Sequence, residues 1–446
     1  MKMSRSERLA LLGGTKAITD KPGDLFTWPI ITEEDEAAAL DVLRRGVMSG
    51  TEITMQFEQE FGRWMDVPYA LAFNNGTASL QAAMYGCGIG VGEEIIGPSI
   101  TYWASALQAF SLGATAVFAD IDPVTLCLDP RDIERRIGER TKAIMVVHYL
   151  GHPADMDAIM RIADRYGLKV IEDVSHAHGG LYRGRKLGSI GHVGAMSLMA
   201  GKALAVGEGG MLTTSDRTIY ERAVALGHYD RFNAEIADPA LAPYRDLPLG
   251  GYKYRMHQIS SAVGRVQLKH YDARHAEIGR AMNRFWDLLD GVPGIRAHRP
   301  DKDAPMRTGG WYAARGHYKS EELGGLSVTR FCEAVRAEGV DGCHPGCNLP
   351  LHRHALLQTA DVYGHGKPTR IATAVRDVRQ LDDSLPVSEE IARKVFSVPW
   401  FKHDRPDAIE AYAMAFRKVA ENYRELLPGD RGNPRELGGW SLYRKK

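Results

Sequence analysis

The sequence predicts an α/β protein with a large domain built on a mostly parallel β-sheet between helices, followed by a smaller C-terminal α+β domain. Three observations predict this fold class. Short apolar segments alternate with helical segments between residues 69 and 175, as expected where crossover helices join parallel strands. The alternation weakens after about residue 250, where a long helix is predicted over residues 258–289. The length of 446 residues is enough for two or three domains.

The N-terminal region is predicted to hold an arm and two helices. We expect residues 1–25 to form a loose arm. Thr32 is suited to the N-cap of the first helix, because its hydroxyl accepts an amide hydrogen bond and acidic residues follow in the first turn. This helix ends at Gly46, and the second, over residues 55–65, ends before Pro68.

The large domain follows as alternating elements. Strands are predicted at residues 69–73, 93–98, 114–122, 142–150 and 168–175, and helices at residues 78–88, 104–113, 130–138 and 156–167. The small domain contains two clear helical patterns, at residues 327–339 and 407–426. We therefore divide the chain into an arm (1–25), a large domain (26–293), a small domain (294–428) and a polar, Gly-rich tail expected to be flexible (429–446).

Composition excludes several classes of function. The chain has 56 Lys+Arg and 56 Asp+Glu, a formal net charge of +0, which argues against nucleic-acid binding through phosphates and against a polybasic membrane surface. No apolar stretch is long enough for a transmembrane helix or a secretory signal. The five cysteines are sparse and odd in number, which favours a reducing cytoplasm over a disulfide framework.

Three segments near predicted strand ends have the residue types of a binding site. The first, residues 75–79, joins a strand to a helix. Gly76 allows close backbone approach, and the helix amides with the Thr77 hydroxyl can hold a phosphate. Alternatively, this segment is a glycine turn with a threonine cap.

The second segment places Glu172 and Asp173 at the end of an apolar strand, with His176 three residues later. A buried carboxylate needs a cationic partner, because an isolated buried charge is costly. A protonated pyridine nitrogen is one such partner, and His176 could hydrogen-bond a ligand oxygen. A structural salt bridge is the alternative.

The third segment, residues 197–210, places Lys202 among small and apolar residues. Desolvation and nearby cations lower the pKa of a lysine amine, which makes it nucleophilic and able to form a Schiff base. The neighbouring glycines permit tight backbone beside a bulky cofactor. Alternatively, Lys202 lies on the surface in a glycine-rich loop.

Together, a phosphate loop, a strand-end acid and a reactive lysine are the components of a pyridoxal 5′-phosphate (PLP) enzyme. In this order, six segments of the chain strongly resemble the DegT/DnrJ/StrS family of PLP-dependent sugar and cyclitol aminotransferases, which have the aspartate-aminotransferase-like fold of type I. These segments cover residues 74–80, 101–107, 113–122, 171–180, 197–214 and 251–272. The resemblance runs from about residue 25 to about residue 425 and implies a large PLP-binding domain.

The resemblance implies roles for individual residues. Lys202 matches the lysine that forms the Schiff base and moves the proton during transfer. Asp173 matches the acid that keeps the pyridine nitrogen protonated, and His176 matches the residue beside the ring hydroxyl. Tyr102 matches the aromatic residue that stacks on the ring. The phosphate site corresponds to Gly76, Thr77 and Ser197.

Lys253 departs from the family pattern. Many members have Asn in the segment over residues 251–256, which reaches the cofactor phosphate of the partner subunit. Lys253 could make a charge-assisted contact with that phosphate, or it could face solvent. The resemblance therefore implies a homodimer with shared active sites.

No metal is expected in catalysis. Cys343 and Cys347, with His352 and His354, superficially resemble a metal site, but their spacing is not that of a usual zinc site. The family uses no metal. The segment over residues 367–370 either contacts substrate or caps a helix.

The function predicted from the resemblance is transfer of an amino group from glutamate or glutamine to a keto sugar or keto cyclitol. The segments over residues 101–105 and 127–130 look like those of members that handle inosose-type cyclitols or aminobenzoate-type precursors. One alternative is the dehydratase or deoxygenase class of the same family, in which the lysine is replaced. The other is a non-catalytic regulatory protein on a PLP fold. The presence of Lys202 argues against the dehydratase or deoxygenase class. Lys202, Asp173 and His176 together argue against a non-catalytic protein.

Overall fold

The computed structural model describes residues 8–440, except for the side chain of residue 233. Thirteen strands are assigned within that range: β1 Tyr69–Phe73, β2 Glu94–Pro98, β3 Thr115–Ala119, β4 Thr141–Val147, β5 Lys169–Asp173, β6 Leu181–Tyr182, β7 Arg185–Lys186, β8 Val193–Ser197, β9 Gly210–Thr214, β10 Ile295–Ala297, β11 Met306–Arg307, β12 Arg315–Tyr318 and β13 Val395–Ser397. The helices of the same range are α1 Glu33–Arg45, α2 Glu52–Met65, α3 Gly76–Gly86, α4 Ala104–Ser111, α5 Pro130–Arg136, α6 Met156–Tyr166, α7 Arg217–Gly227, α8 Tyr229–Glu235, α9 Gln258–Leu288, α10 Val328–Ala337, α11 Ala355–Gln358, α12 Pro386–Glu390 and α13 Pro406–Glu421.

The large domain is built on a seven-stranded sheet in the order β1-β9-β8-β5-β4-β2-β3. Neighbouring strands from β8 to β3 pair in parallel, and β9 runs antiparallel to both β1 and β8. The mostly parallel sheet and the α/β fold class are thereby confirmed. Because all the other strands share one direction, the carboxyl ends of β1, β2, β4, β5 and β8 meet at the same edge, where open α/β sheets bind ligands.

Apolar side chains on both faces explain why this sheet lies in the core. In β4, Ile144 and Met145 point to opposite faces and both are fully buried. Helices α1 and α2 pack on α9, which runs for 31 residues beside the sheet. At the start of α1, the Thr32 hydroxyl donates to Asp35 Oδ2 at 2.7 Å, and the Thr32 amide donates to the same oxygen. This capping box fixes the predicted start of the helix.

A second sheet, three-stranded and antiparallel in the order β10-β12-β13, packs with α10 and α13 within residues 294–428, the range predicted as the small domain. Its core is aromatic: the rings of Phe331, Phe396 and Phe416 pack within 6.4 Å of one another. No helix within residues 8–440 is long and apolar enough to cross a membrane.

Both ends of the described chain contact the rest of the protein through a few side chains and amides. Leu9 and Leu25 are fully buried, and the carboxylate of Glu338 accepts hydrogen bonds from the amides of Ala10 and Ala17. Near the other end, Leu437 is 7% exposed. These buried leucines are spaced along otherwise mostly exposed segments.

One segment from the predicted small domain lies against the large domain. Arg370 is fully buried, and its Nε donates to the carbonyl of Ala116 in β3 at 3.0 Å. The amides of Val387 and Ser388 donate to Asp120 just beyond the same strand. These contacts cover the outer edge of β3, which would otherwise expose unpaired backbone groups.

Candidate active site

A cavity of about 230 Å³ opens at the carboxyl ends of the parallel strands. It brings together seven of the eight predicted site residues: Gly76, Thr77, Tyr102, Asp173, His176, Ser197 and Lys202. It also contains residues that were not singled out as site residues: Asn75, Leu80, Thr101, Ala104, Val147, Ser175, Met199, Glu208, Tyr312 and Asn348. The site therefore combines residues of both domains.

One end of the cavity is formed by the start of α3. The side chain of Asn75 caps this helix by accepting from the Ala78 amide at 2.8 Å. Gly76 lies against β8, where a Cβ would come within 2.6 Å of the Ser197 Cα. Any other residue would force α3 away from Ser197. This close approach brings the start of α3, the Thr77 side chain and Ser197 together at one end of the cavity, an arrangement that suits an anion.

Asp173 ends β5 and is 5% exposed. Its Oδ2 accepts from the Ser105 hydroxyl at 2.7 Å, and its Oδ1 accepts from the Ser175 amide at 3.0 Å. Within residues 8–440, no lysine, arginine or histidine nitrogen lies within 4.0 Å of this carboxylate. The salt-bridge alternative for Asp173 is therefore not what the structure shows. The carboxylate faces the cavity, ready to pair with a cationic ligand atom.

The neighbouring acid, Glu172, has a different role. It is fully buried, and its carboxylate accepts from the amides of Gly188, Ile190 and Gly191 and contacts His148 Nε2 at 2.9 Å. All these partners belong to the protein. Of the two adjacent acids, only Asp173 has its charge available to a ligand.

Lys202 is 8% exposed and lies in the cavity. Burial lowers the pKa of its amine from 10.5 to about 8, and the nearby Asp173 carboxylate opposes part of that shift. Its Nζ lies 4.1 Å from the centroid of the Tyr312 ring. The backbone carbonyl of Lys202 accepts from Trp28 Nε1 at 2.8 Å, which fixes the chain at this residue. A buried lysine with such a pKa is a nucleophile near neutral pH.

His176 is held as a neutral ring. Burial, with a smaller contribution from the charge of Lys202, lowers its pKa well below 6.5. Its Nδ1 accepts from the Leu150 amide at 3.3 Å. Since a neutral imidazole carries one proton, that proton lies on Nε2. The ring packs between Tyr149 and Tyr312 with centroid distances of 5.6 and 4.7 Å.

The remaining predicted residues lie at the mouth of the cavity or outside it. Tyr102 is 38% exposed, and its ring packs against Trp103. Lys253 is exposed and does not line the cavity of its own chain. Its neighbour Tyr254 pairs with Asn74 through a backbone hydrogen bond of 2.8 Å, which ties the loop of Lys253 to the end of β1.

The Cys343–Cys347 loop and its histidines have other partners. His352 Nδ1 lies 2.7 Å from the Ser99 hydroxyl, and its Nε2 lies 3.2 Å from Glu389. His354 caps α11 by accepting from the Leu356 amide. Among residues 8–440, no group of three or more His, Cys, Asp or Glu side chains is arranged to hold a metal ion.

Two signals could have found residues that the sequence argument did not select. Asn75 immediately precedes Gly76, and a residue at that position is the natural N-cap of α3. Glu208 lies between Gly207 and Gly209 in the segment over residues 197–210, which also contains Lys202. By contrast, Tyr312 and Asn348 reach the cavity only because the small domain folds back over the sheet, and no local pattern marks them.

The seven-stranded, mostly parallel sheet, with a buried lysine and a buried carboxylate without an ion-pair partner among residues 8–440 at its carboxyl edge, has the architecture of fold type I. The profile of the DegT/DnrJ/EryC1/StrS aminotransferase family matches residues 29–416, so the chain belongs to that family. The predicted family and its aminotransferase activity are confirmed.

Individual relatives extend over nearly the whole chain. The L-glutamine:2-deoxy-scyllo-inosose aminotransferase of Streptoalloteichus tenebrarius is 32% identical over 425 residues, which cover 90% of this chain and 96% of the relative. The GDP-perosamine synthase of Caulobacter vibrioides is 35% identical over 344 residues, 74% of this chain and 88% of the relative. The crystal structure of an aminotransferase from Psychrobacter cryohalolentis matches with a TM-score of 0.77 and 29% identity, covering 90% of this chain and 100% of that one.

Proposed function

We propose that this enzyme uses PLP to transfer the amino group of glutamine to a keto cyclitol. One observation carries the proposal: the same cavity holds a buried, reactive Lys202 and a buried Asp173 carboxylate without an ion-pair partner among residues 8–440. The relative that acts on 2-deoxy-scyllo-inosose matches along 96% of its own length. Three relatives named for glutamine and an inosose are 32–34% identical over 83–95% of this chain, which supports the cyclitol as acceptor.

The residues of the cavity fit PLP. Its phosphate is a dianion that suits the amides at the start of α3, which Gly76 brings against Ser197. A protonated pyridine nitrogen would supply the cation that Asp173 lacks. The Nε2 proton of His176 is a donor for a ring oxygen. Lys202 and Asp173 are the two residues to which we assign catalysis, and Gly76, Thr77, Tyr102, His176 and Ser197 would bind the cofactor.

When bound, PLP supplies a conjugated ring that accepts the electrons released as the donor's Cα–H bond breaks. Asp173 would keep the ring nitrogen protonated and so strengthen this acceptance. Lys202, whose pKa of about 8 leaves it mostly neutral above pH 8 and partly neutral below, would take the proton from the donor's Cα and return it. The Tyr312 ring, 4.1 Å from Lys202 Nζ, shields the amine from competing water.

The test begins with the purified holoenzyme and its amino donors. Glutamine should change the absorbance of the bound cofactor and release one keto acid per site. The converted enzyme is then mixed with keto cyclitols or nucleotide keto sugars, and recovery of the original absorbance is followed. We expect recovery with a keto cyclitol. Recovery only with nucleotide keto sugars would overturn the choice of acceptor. No absorbance change with glutamine or with glutamate would support a non-catalytic regulatory protein.

We further propose a homodimer whose Lys253 residues reach the partner's cofactor phosphate. Among the described residues that line the cavity, Lys202 is the only lysine or arginine, so a second cation must come from outside one chain if the phosphate is to be neutralised by a side chain. Lys253 is exposed on a loop anchored beside the site.

Two measurements test this assembly. Light scattering should give about twice 49.3 kDa. Lys253→Ala should weaken PLP retention about tenfold, the size of a lost charge-assisted contact, without abolishing dimerisation. Lys394→Ala, on an exposed lysine far along the chain, is the matched control. A catalytically competent monomer would contradict the shared site, and unchanged retention would contradict only the role of Lys253.

A further inference from the structure

Asn348 is a buried polar residue in the cavity that the mechanism above does not use. It follows the Cys343–Cys347 loop in the small domain, is 1% exposed and lines the cavity together with Tyr312. A buried side-chain amide has two donor hydrogens and one acceptor oxygen to satisfy. The groups of this amide that do not hydrogen-bond to the protein are the ones available to a ligand.

The hydrogen bonds around Asn348 fix the orientation of its amide. Its backbone N–H donates to the Tyr149 hydroxyl at 3.3 Å, and that hydroxyl donates its single proton to Asn348 Oδ1 at 2.6 Å. Nδ2 donates one of its two hydrogens to the carbonyl of Trp440 at 3.5 Å. The oxygen is therefore turned toward Tyr149, and the second hydrogen of Nδ2 is the group left for a ligand.

The C-terminal segment, residues 437–440, holds the backbone on both sides of Asn348. The Gly439 amide donates to the carbonyl of Cys347 at 3.2 Å, and the Leu349 amide donates to the carbonyl of Gly439 at 3.0 Å. The Trp440 ring packs edge-on against His354, with centroids 4.4 Å apart. Asn348 is thus held by Tyr149 on one side and by Gly439 and Trp440 on the other.

We propose that Asn348 determines acceptor specificity by donating a hydrogen bond from Nδ2 to a hydroxyl oxygen of the keto acceptor. This inference rests on the proposed function. A neutral amide donor suits a neutral oxygen of a polyhydroxylated ring. The carboxylate of the amino donor would be better served by a cation, and Lys202 is the only lysine or arginine among the described cavity residues, which also include the acidic Glu208.

The two half-reactions separate this role from a purely structural one. Asn348→Leu keeps the volume but removes the donor, and the exposed Asn283→Leu on α9 is the matched control. Single-turnover rates are measured with glutamine alone and then with keto cyclitol alone. We expect the loss in kcat/KM for the acceptor to be about tenfold and at least about fivefold greater than the loss for glutamine, as for a site that loses one buried hydrogen bond to substrate.

A series of keto cyclitols that each lack one hydroxyl sharpens the test. With the wild-type enzyme, one of them should react about tenfold more slowly than the parent. With Asn348→Leu, that particular penalty should vanish while penalties at other positions stay. Equal losses in both half-reactions, or an unchanged pattern of penalties, would overturn the role of Asn348. A wild-type enzyme that transfers no amino group to any keto cyclitol would instead overturn the proposed function itself.

Discussion

The two walls of the active-site cavity are built in different ways. The large-domain wall comes from the carboxyl ends of β1, β5 and β8, which place Gly76, Asp173 and Lys202 within short motifs of the sequence. The small-domain wall consists of Tyr312 and Asn348, which reach the cavity across the domain boundary. Under the roles proposed above, the first wall would carry the PLP chemistry, and the second would contact the acceptor.

The largest effect should come from the centre of the large-domain wall. Lys202→Ala removes the only amine of the cavity that can move the proton, so turnover should fall by at least about a thousandfold. PLP should still bind through Asp173 and the start of α3, which equilibrium dialysis would show. Full activity in this variant would sink the mechanism, since no other described cavity residue offers an amine.

The next effect should come from Asp173. Asp173→Asn keeps an oxygen for the Ser105 hydroxyl but removes the charge that holds the pyridine proton. The loss of a buried ion pair costs a few kcal/mol, which corresponds to about a hundredfold to a thousandfold in kcat. Ser105→Ala, which leaves the charge in place, should cost far less. A rate for Asp173→Asn within about threefold of wild type would contradict the assignment.

Sequence reasoning succeeded where contacts are local. The elements of the large domain follow the alternation of apolar segments, and α9 ends one residue from the predicted position. Strands β8 and β9 were not identified as strands, because Gly194 and Gly210 weaken their pattern and the reactive lysine segment lies between them. The contact of Arg370 with β3 was also not predicted, because it depends on a reversal of the chain that no local motif indicates. Tyr312 and Asn348 were missed for the same reason.

The pH dependence of Lys202 tests how the large-domain wall tunes its amine. Burial brings the pKa down from 10.5 to about 8, so the neutral fraction of the amine falls about tenfold for each pH unit below that value. Acylation of Lys202 in the apoprotein, measured by mass spectrometry, should rise with pH and level off above about 8. A profile that still rises steeply at pH 10 would show an ordinary exposed lysine. Asp173→Asn should shift the profile to lower pH, because the carboxylate favours the ammonium form.

The smallest expected effect links the two walls. Tyr312 presents its ring 4.1 Å from Lys202 Nζ, and an aromatic face stabilises the charged amine by about 1 kcal/mol in a partly desolvated site. Tyr312→Leu removes that face but keeps an apolar neighbour, so the pKa of Lys202 should fall by roughly half a unit to one unit. Tyr312→Phe keeps the face and should leave the acylation profile unchanged. If both variants shift the profile equally, the hydroxyl of Tyr312 rather than its ring acts on Lys202. If neither variant shifts the profile, Tyr312 does not affect the pKa of Lys202, and the large-domain wall alone sets it.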